Sequence, residues 1–528
     1  MERNLLISLL LCINVYVNSA PIEGPGLLQV QFQAPQPAAK PPSEDVLRAI
    51  ETINKAPQPT SELQSEDVMS TIERMNKGIG KLLHHSDIKT KEGRSAMECP
   101  SKNCFWSKSA NGLVNVPYTV DPQFTVDEKA TISRAILEFA TLTCIRFVPR
   151  TSEADYVNII NDVGCWSLLG YSAGAQDLSL DRSGCVYHGV VQHELNHALG
   201  IDHEHSRSDR DLYIKILWQN IEPDYNTSFD KHNTNNLNMQ YDYTSVMHYG
   251  KFAFSTDYRL QTIQPVPDNG ISIGQRTGLS NLDVAKINKL YSCNICSSVL
   301  SDATGVLYSA SNPSNYPNNY NCTWLIRLPI SQILLQFKAF DVQNSVGCTS
   351  DYIRVFDGPS RTYPLLLDRS CGSGMMPSLV SSSSVMLVEF VTDGSITATG
   401  FKASYSTVSC GGTLVNSTGT VFSPGYEKQQ NYPAYSDCIW TIIAPLGYKV
   451  QLAMVSFSLE SSKTCSYDWL EIRDGVLSAS PLVGPAYCGN QKIQPITSTK
   501  NGLVLHFVSD YSGQSTGFMA YYSIIPAS

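Results

Sequence analysis

His193, Glu194, His197, Gly200 and His203 fall within one short run, His193-Glu194-Leu195-Asn196-His197-Ala198-Leu199-Gly200-Ile201-Asp202-His203. On a helix, residues four apart lie one above the other, so His193 and His197 present two imidazoles on one face, spaced for a single zinc ion. Glu194 points toward the same cleft and can take a proton from water. Gly200 can enter positive φ, end the helix and turn the chain so that His203 supplies a third nitrogen. Three protein ligands leave an open position for water, which zinc acidifies toward neutral pH. Two histidines at this spacing also occur on ordinary helix surfaces; three, with the acid and the glycine at these offsets, point to metal-assisted hydrolysis.

The run resembles the HExxHxxGxxH pattern of the metzincins, and its flank His203-Glu204-His205 is similar to the astacin branch. Downstream, Ser245-Val246-Met247-His248-Tyr249-Gly250 resembles the Met-turn as astacins write it. The resemblance covers roughly residues 95–293, including Cys144-Ile145-Arg146-Phe147-Val148-Pro149-Arg150 and Gly164-Cys165-Trp166-Ser167. It implies that Met247 underlies the zinc site. It also implies that Tyr249 is a further zinc ligand that swings away to stabilise the oxyanion, a task suited to a phenolic donor. By the same resemblance Cys165 pairs with Cys185 and Cys144 with Cys293, and Cys99 with Cys104 forms the extra N-terminal pair of hatching enzymes. Closing the long 144–293 loop restricts the unfolded chain.

Latency follows from the segment before the protease. It holds no cysteine once Cys12 is removed, so a thiolate cannot block the zinc and a carboxylate is the next choice. Astacin propeptides resemble this one in placing an Asp shortly before the activation cut, which makes Asp87 in His85-Ser86-Asp87-Ile88 the inhibitory ligand. Ser86 replaces the glycine that the family usually has there, and His84 and His85 are rival ligands. Cleavage after Arg94 by an activating protease would free Ser95, whose amino terminus the family pattern buries near Glu204.

Several elements must position these residues. Thr125 with Glu128 makes a capping box that opens a helix through Ile132, Ile136 and Phe139, and Tyr156-Val157-Asn158-Ile159-Ile160 reads as a strand. Strands and a long helix ahead of the metal helix predict an α+β two-lobed protease with a cleft between the lobes. Upstream, Ser43-Glu44-Asp45-Val46 and Ser65-Glu66-Asp67-Val68 each open an amphipathic helical segment, leading to Ile53-Asn54-Lys55 and Met75-Asn76-Lys77. Their role is open between a spacer and a specific partner. Leu5 to Val17 is an apolar run of signal-peptide length, followed by small Ser19 and Ala20. The expected division is a signal peptide over 1–20, a propeptide over 21–94 and a protease over 95–293.

After Cys296 the chain repeats at about 115 residues. Cys296, Cys322, Cys348 and Cys371 are echoed by Cys410, Cys438, Cys465 and Cys488, and Asp351-Tyr352-Ile353-Arg354-Val355-Phe356-Asp357-Gly358 by Asp468-Trp469-Leu470-Glu471-Ile472-Arg473-Asp474-Gly475. Alternation and closely spaced turns predict all-β sandwiches. Both copies resemble CUB domains, over 296–407 and 410–523, which implies the pairs 296–322, 348–371, 410–438 and 465–488. Many CUB domains hold calcium with three carboxylates. Glu460, Asp468 and Asp510 stand at the family spacing in the second copy, which is assigned calcium; the first has Asp351 and Asp393, with Gln343 where the third acid belongs, so calcium there stays open. Asn226, Asn321 and Asn416 head glycosylation sequons.

Composition bounds the rest. With 528 residues, 15 cysteines, 42% hydrophobic and 16% charged residues and a net charge of −9, the chain is a multidomain, disulfide-bonded protein with ample cores. The acidic balance excludes a nucleic-acid partner, and no later stretch has the ~18 uninterrupted apolar residues of a membrane span. The expectation is a secreted zinc endopeptidase, held in secretory granules before release and made as a zymogen. Astacin plus two CUB copies with no EGF-like module resembles the amphibian hatching enzymes that digest the egg envelope. A tolloid-like processor of matrix or growth-factor precursors is the rival within the class. A non-catalytic protein that binds through its CUB pair is the rival outside it.

Overall fold

The computed structural model describes residues 68–79, 83–89, 104–257, 259–309 and 314–527. The signal peptide, the first repeated helical segment, Arg94–Ser95 and Cys99 lie outside the described residues.

The N-terminal lobe of the protease is a sheet of β1 (Ile88–Lys89), β2 (Val114–Val120), β3 (Ile145–Pro149), β4 (Tyr156–Ile160), β5 (Cys165–Leu168) and β6 (Ala175–Leu180), in the order β1-β5-β6-β4-β2-β3. Only the β5–β6 pairing is antiparallel. β1 lies in the segment expected to be the propeptide and adds a parallel strand to the edge of β5, Ile88 opposite Ser167. The long helix Val126–Leu142 opens at Thr125, whose Oγ1 accepts from Glu128 N while Glu128 Oε2 accepts from Thr125 N at 2.6 Å. Its Ile132, Ile136 and Phe139 are buried with Val157 and Ile159 of β4. Against this layer lies the helix His188–Ala198, buried from Gly189 onward, which carries the histidine run.

The second lobe is made of short turns, a two-stranded pairing of Ile214–Ile216 with Ile263–Pro265, and the helix Asn281–Leu290. That last helix has its own capping box, Ser280 with Asp283. Cys144 bonds to Cys293 and Cys165 to Cys185. Cys104 is also disulfide-bonded.

Each C-terminal copy is a pair of antiparallel-dominated sheets. In the first, Gln332–Val342 and Gly400–Val408 dominate one sheet, and Asn321–Arg327 and Val385–Val391 the other. In the second, Tyr448–Ser458 with Gly517–Pro526 corresponds to the former and Asp437–Ile443 with Gly502–Val508 to the latter. Disulfides join Cys296 to Cys322, Cys348 to Cys371, Cys410 to Cys438 and Cys465 to Cys488. Asn226, Asn321 and Asn416 are all exposed.

The protease core does not stop at Cys293. Val299, Leu325, Phe356 and Leu387 of the first CUB copy belong to the same buried cluster as the catalytic helix. The polar centre of this junction is Glu138, buried on the long helix, which accepts from Arg327 Nη2 of the CUB copy at 2.5 Å and sits 3.2 Å from His188 Nε2 at the start of the metal helix. Burial alone would raise the Glu138 pKa, but the Arg327 charge and the His188 hydrogen bond outweigh it and bring it to about 2. A carboxylate depressed in this way contributes stability above its ordinary titration range, and the contribution fades as the pH falls from about 4.5 toward 2. Replacing Arg327 with Ala leaves Glu138 buried and less well compensated, so Arg327→Ala should lower the stability of the protease–CUB unit by about 3 kcal/mol at neutral pH. Thermal unfolding of the full chain reads this, and the deficit relative to wild type should shrink in acid.

Candidate metal centre

His193 and His197 leave the metal helix side by side, their rings edge to face with centroids 4.7 Å apart. The helix stops at Leu199, Gly200 follows at φ +90°, and the turn brings His203 alongside. Both helical rings are fixed from behind, His193 Nδ1 2.9 Å from the Val246 carbonyl and His197 Nδ1 2.9 Å from the Ile201 carbonyl. A carbonyl only accepts, so the protons sit on Nδ1 and the Nε2 lone pairs face one point. Nε2 of His193 is 3.1 Å from that of His197 and 3.3 Å from that of His203. Met247 is fully buried in the turn that supplies the Val246 carbonyl. Asp283 anchors this turn, accepting from Ser245 Oγ at 2.6 Å and Val246 N at 2.9 Å.

Asp87 fills the fourth corner. Its Oδ2 lies 3.1 Å from His193 Nε2, 3.2 Å from His203 Nε2 and 3.7 Å from His197 Nε2. Ligands around tetrahedral zinc, with bonds of 2.0–2.1 Å, stand about 3.3 Å apart, so the four atoms have the spacing that zinc requires. All four side chains are buried. Among the described residues, Asp87 Oδ1 and both Glu194 oxygens have no hydrogen-bond partner, a costly arrangement that a cation at this centre would relieve. Burial holds His193 neutral, with a pKa brought down to about 4. Burial works against ionising Asp87, but His203 and the neighbouring His193 and His197 imidazoles outweigh it and keep the carboxyl well below its usual range. Glu194 is pushed well above the usual range by burial and then by the Asp87 charge.

The segment ahead of residue 95 is threaded through this cleft. Its helix Val68–Asn76 buries Ile72 in the protease core. Asn76 Nδ2 donates to the Ser86 carbonyl at 2.8 Å and the Cys165 carbonyl at 2.6 Å, and its Oδ1 accepts from Cys165 N at 2.8 Å. Gly164 stands at φ +83°, and a Cβ there would meet Asn76 Oδ1 at 2.1 Å, so the close approach needs glycine. His84 and Ile88 exchange backbone hydrogen bonds of 2.7 and 2.9 Å around a tight loop with His85 at φ +48° and Ser86 at φ +73°. Ser86 therefore holds the left-handed conformation that glycine adopts freely, at a cost of about 1 kcal/mol. In return its Oγ sits 3.0 Å from the Tyr249 hydroxyl, which donates to the His85 carbonyl at 2.9 Å. Burial, and then the Asp87 charge, raise the Tyr249 pKa far above its ordinary value, so it stays a neutral donor.

Of the three rival blocking residues, only Asp87 reaches the catalytic nitrogens. The rings of His84 and His85 gather instead around His232, a residue that sequence reasoning passed over because nothing local marks it. Asn76 was visible only as part of a repeated motif. Glu204 is paired with Lys286, with Arg207 Nη1 at 3.0 Å and with Asp242 N at 2.8 Å. A cavity of about 470 Å³ opens beside it, lined by Gly200, Asp202, Glu204, Arg207 and Lys286.

The two CUB copies carry parallel carboxylate sites. In the second, Asp468 accepts from Tyr432 OH at 2.5 Å and Asp510 N at 2.8 Å, and Glu460 joins them with its Oε2 unpartnered. Burial, then the charges of Asp468 and Asp510, raise the Glu460 pKa. In the first, Asp351 accepts from Tyr316 OH at 2.6 Å and Asp393 N at 2.7 Å. There the Gln343 amide nitrogen, oriented to satisfy both its ends, donates to Asp351 Oδ2 at 3.3 Å and the Ile396 carbonyl at 3.1 Å. The amide thus occupies the place of the third charge and supplies the donor.

Comparison with known proteins agrees with this layout. Residues 102–292 match the profile of the astacin peptidase family, and residues 296–405 and 410–522 each match the CUB domain. The chain is 45% identical to embryonic protein UVS.2 of Xenopus laevis over 98% of each chain. It is 49% identical to the astacin-like metalloendopeptidase of Coturnix japonica, over 62% of this chain and 80% of that one. Human tolloid-like protein 1 is 37% identical over 77% of this chain and 40% of its own length.

If Asp87 supplies the fourth ligand, the Asp87→Ala proform should hydrolyse a peptide substrate without any cut after Arg94, at least tenfold faster than the wild-type proform. Rates measured on uncleaved protein, verified by mass, decide this; an Asp87→Ala proform as silent as wild type would shift latency to steric cover by the propeptide.

Proposed function

The chain belongs to the astacin family of zinc metalloendopeptidases, with two CUB domains, and on that footing we propose that it is a secreted zymogen whose active form digests the glycoprotein envelope of the egg at hatching. The observation that carries the catalytic part is the convergence of the three imidazoles on one point with Glu194 beside them and unpartnered. When bound, zinc supplies Lewis-acid polarisation of the scissile carbonyl and lowers the pKa of water. His193, His197 and His203 hold the ion. Glu194 takes the proton of the attacking water and passes it to the leaving amine. Tyr249, once released from His85 and Ser86, donates to the developing oxyanion. The edge of β5, which the propeptide covers, is where an extended peptide can pair its backbone.

Activation takes the propeptide away after a cut behind Arg94. Asp87 then leaves the imidazoles, Tyr249 loses its two propeptide partners, and water reaches Glu194. The new amino terminus at Ser95 enters the cavity beside Glu204, where a carboxylate that already binds two cations can accept a third.

The hatching role rests on architecture. The match to an embryonic protein spans nearly the whole of both chains, whereas the tolloid-like relative is matched over less than half of its length. The CUB pair holds the enzyme on a large insoluble substrate, where tethering raises the effective concentration. Calcium is assigned to Glu460, Asp468 and Asp510; the first copy, with Asp351, Asp393 and the Gln343 amide, is assigned none.

Glu194→Gln should keep its zinc, counted by mass spectrometry, and lose several orders of magnitude in peptide cleavage. Tyr249→Phe should keep zinc and lose roughly 10²–10³ in kcat; an unchanged rate would remove it from the chemistry.

For the targeting role, activated enzyme should dissolve egg envelopes. Asp468→Ala should slow that digestion while leaving small-peptide cleavage intact. Gln343→Glu should raise calcium bound per chain from one to two. Equal envelope digestion by Asp468→Ala would argue against calcium-dependent targeting.

A further inference from the structure

We propose that the proform carries a second metal site, formed by His84 and His85 of the propeptide and His232 of the protease, which takes a zinc-type divalent cation and fastens the propeptide across the cleft. The loop that sends Asp87 into the catalytic imidazoles places the two preceding histidines on His232. The His85 and His232 rings meet edge to face with centroids 4.0 Å apart, His84 stands edge to face with His85 at 4.2 Å, and His84 stacks parallel to His232 at 5.8 Å. One ligand nitrogen from each ring lies within 4.8 Å of the others. The three imidazoles play no part in the catalytic reading, which uses only the backbone carbonyl of His85.

The hydrogen bonds behind the rings decide what the front can hold. His232 Nδ1 is in short contact with Asp202 Oδ2. His85 Nδ1 is 3.3 Å from the Ser228 carbonyl. A carboxylate and a carbonyl only accept, so in the neutral rings both Nδ1 atoms carry the proton. That leaves Nε2 of His85 and Nε2 of His232, which are in contact, with a lone pair each. Two facing lone pairs repel unless a cation lies between them. The same signature marks the catalytic site, where His193 and His197 spend Nδ1 on carbonyls and their Nε2 atoms face each other at 3.1 Å. A carboxylate on the far nitrogen, as Asp202 provides for His232, is also the usual second partner of a metal-bound imidazole.

A shared proton would engage two of the nitrogens, whereas a metal ion engages all three. Three imidazoles suit zinc, with water in the fourth position. His84 is exposed, so the ion can enter and water can reach it; to reach the roughly 3.3 Å spacing of a loaded tetrahedral site the His84 nitrogen would move in and the contacting His85 and His232 nitrogens would move apart. Because two ligands leave with the propeptide, the site exists only before activation. The inference uses the reading that the chain retains its propeptide until it is cut.

The test is the zinc content of the full-length proform, carrying Glu194→Gln to prevent self-digestion, after equilibration with Zn²⁺ and desalting. The expected result is two zinc ions per proform, one in the His84→Ala proform, and one in the protein cut after Arg94 and separated from its propeptide. His84 is exposed, so its variant folds; His232→Gln serves as a second variant and should also hold one. One ion in the parent proform, the proton-bridged outcome, would overturn the proposal, as would two ions in both variants. The count reads metal and not activity, so it is independent of whether Asp87 silences the enzyme.

Discussion

Three imidazole nitrogens and one carboxylate oxygen meet at a point sealed from water, and much of the protease serves to keep them there. Lone pairs so close together repel, and their burial removes the solvent that would otherwise screen them. The arrangement holds because each helical imidazole is pinned from the other side: His193 by the Val246 carbonyl, His197 by the Ile201 carbonyl. Val246 is pinned in turn by Asp283, itself set at the start of the last helix by its capping box. A cation at the centre turns the repulsion into binding energy, which is how a site preorganised for metal differs from one that metal must assemble.

Latency uses the same geometry. One loop, forced into left-handed conformations at His85 and Ser86, delivers a carboxylate to the metal position and a carbonyl and a hydroxyl to Tyr249. β1 covers the edge of β5, and the buried helix Val68–Asn76 fixes the loop through the three hydrogen bonds of Asn76. The metal position, Tyr249 and the edge of β5 are therefore all engaged by one segment, whose removal would free them at once.

Acidic side chains recur at the joints and sites of the molecule, and the partner each one meets sets its role. Glu138 meets Arg327 and becomes the join between protease and CUB copy. Glu204 meets Lys286 and Arg207 beside an open cavity. Asp351 meets the amide of Gln343 and is satisfied without an ion. Glu460, Asp468 and Asp510 meet one another, and three like charges in one place call for a divalent cation.

The zinc run, the capping box at Thr125, the strand Tyr156–Ile160 and the duplication after Cys296 were all legible in the sequence, because helical periodicity, local capping and short metal-ligand spacing are properties of neighbours along the chain. The choice of Asp87 over His84 and His85 was not. Those residues are adjacent, and only the φ angles of the loop and the position of His232, far along the chain, decide which side chain turns to which cluster. Nor did the sequence reveal that Asn76 clamps the propeptide, that Arg327 of a CUB copy neutralises Glu138 of the protease, or that the core continues past Cys293. The expected protease boundary is residue 293, yet Val299, Leu325, Phe356 and Leu387 pack into the same core. Sequence determined which chemistry the chain can perform, since that depends on residue types at fixed local spacing; tertiary structure decided which partners switch it off and hold it in place, since those contacts join residues that only folding brings together.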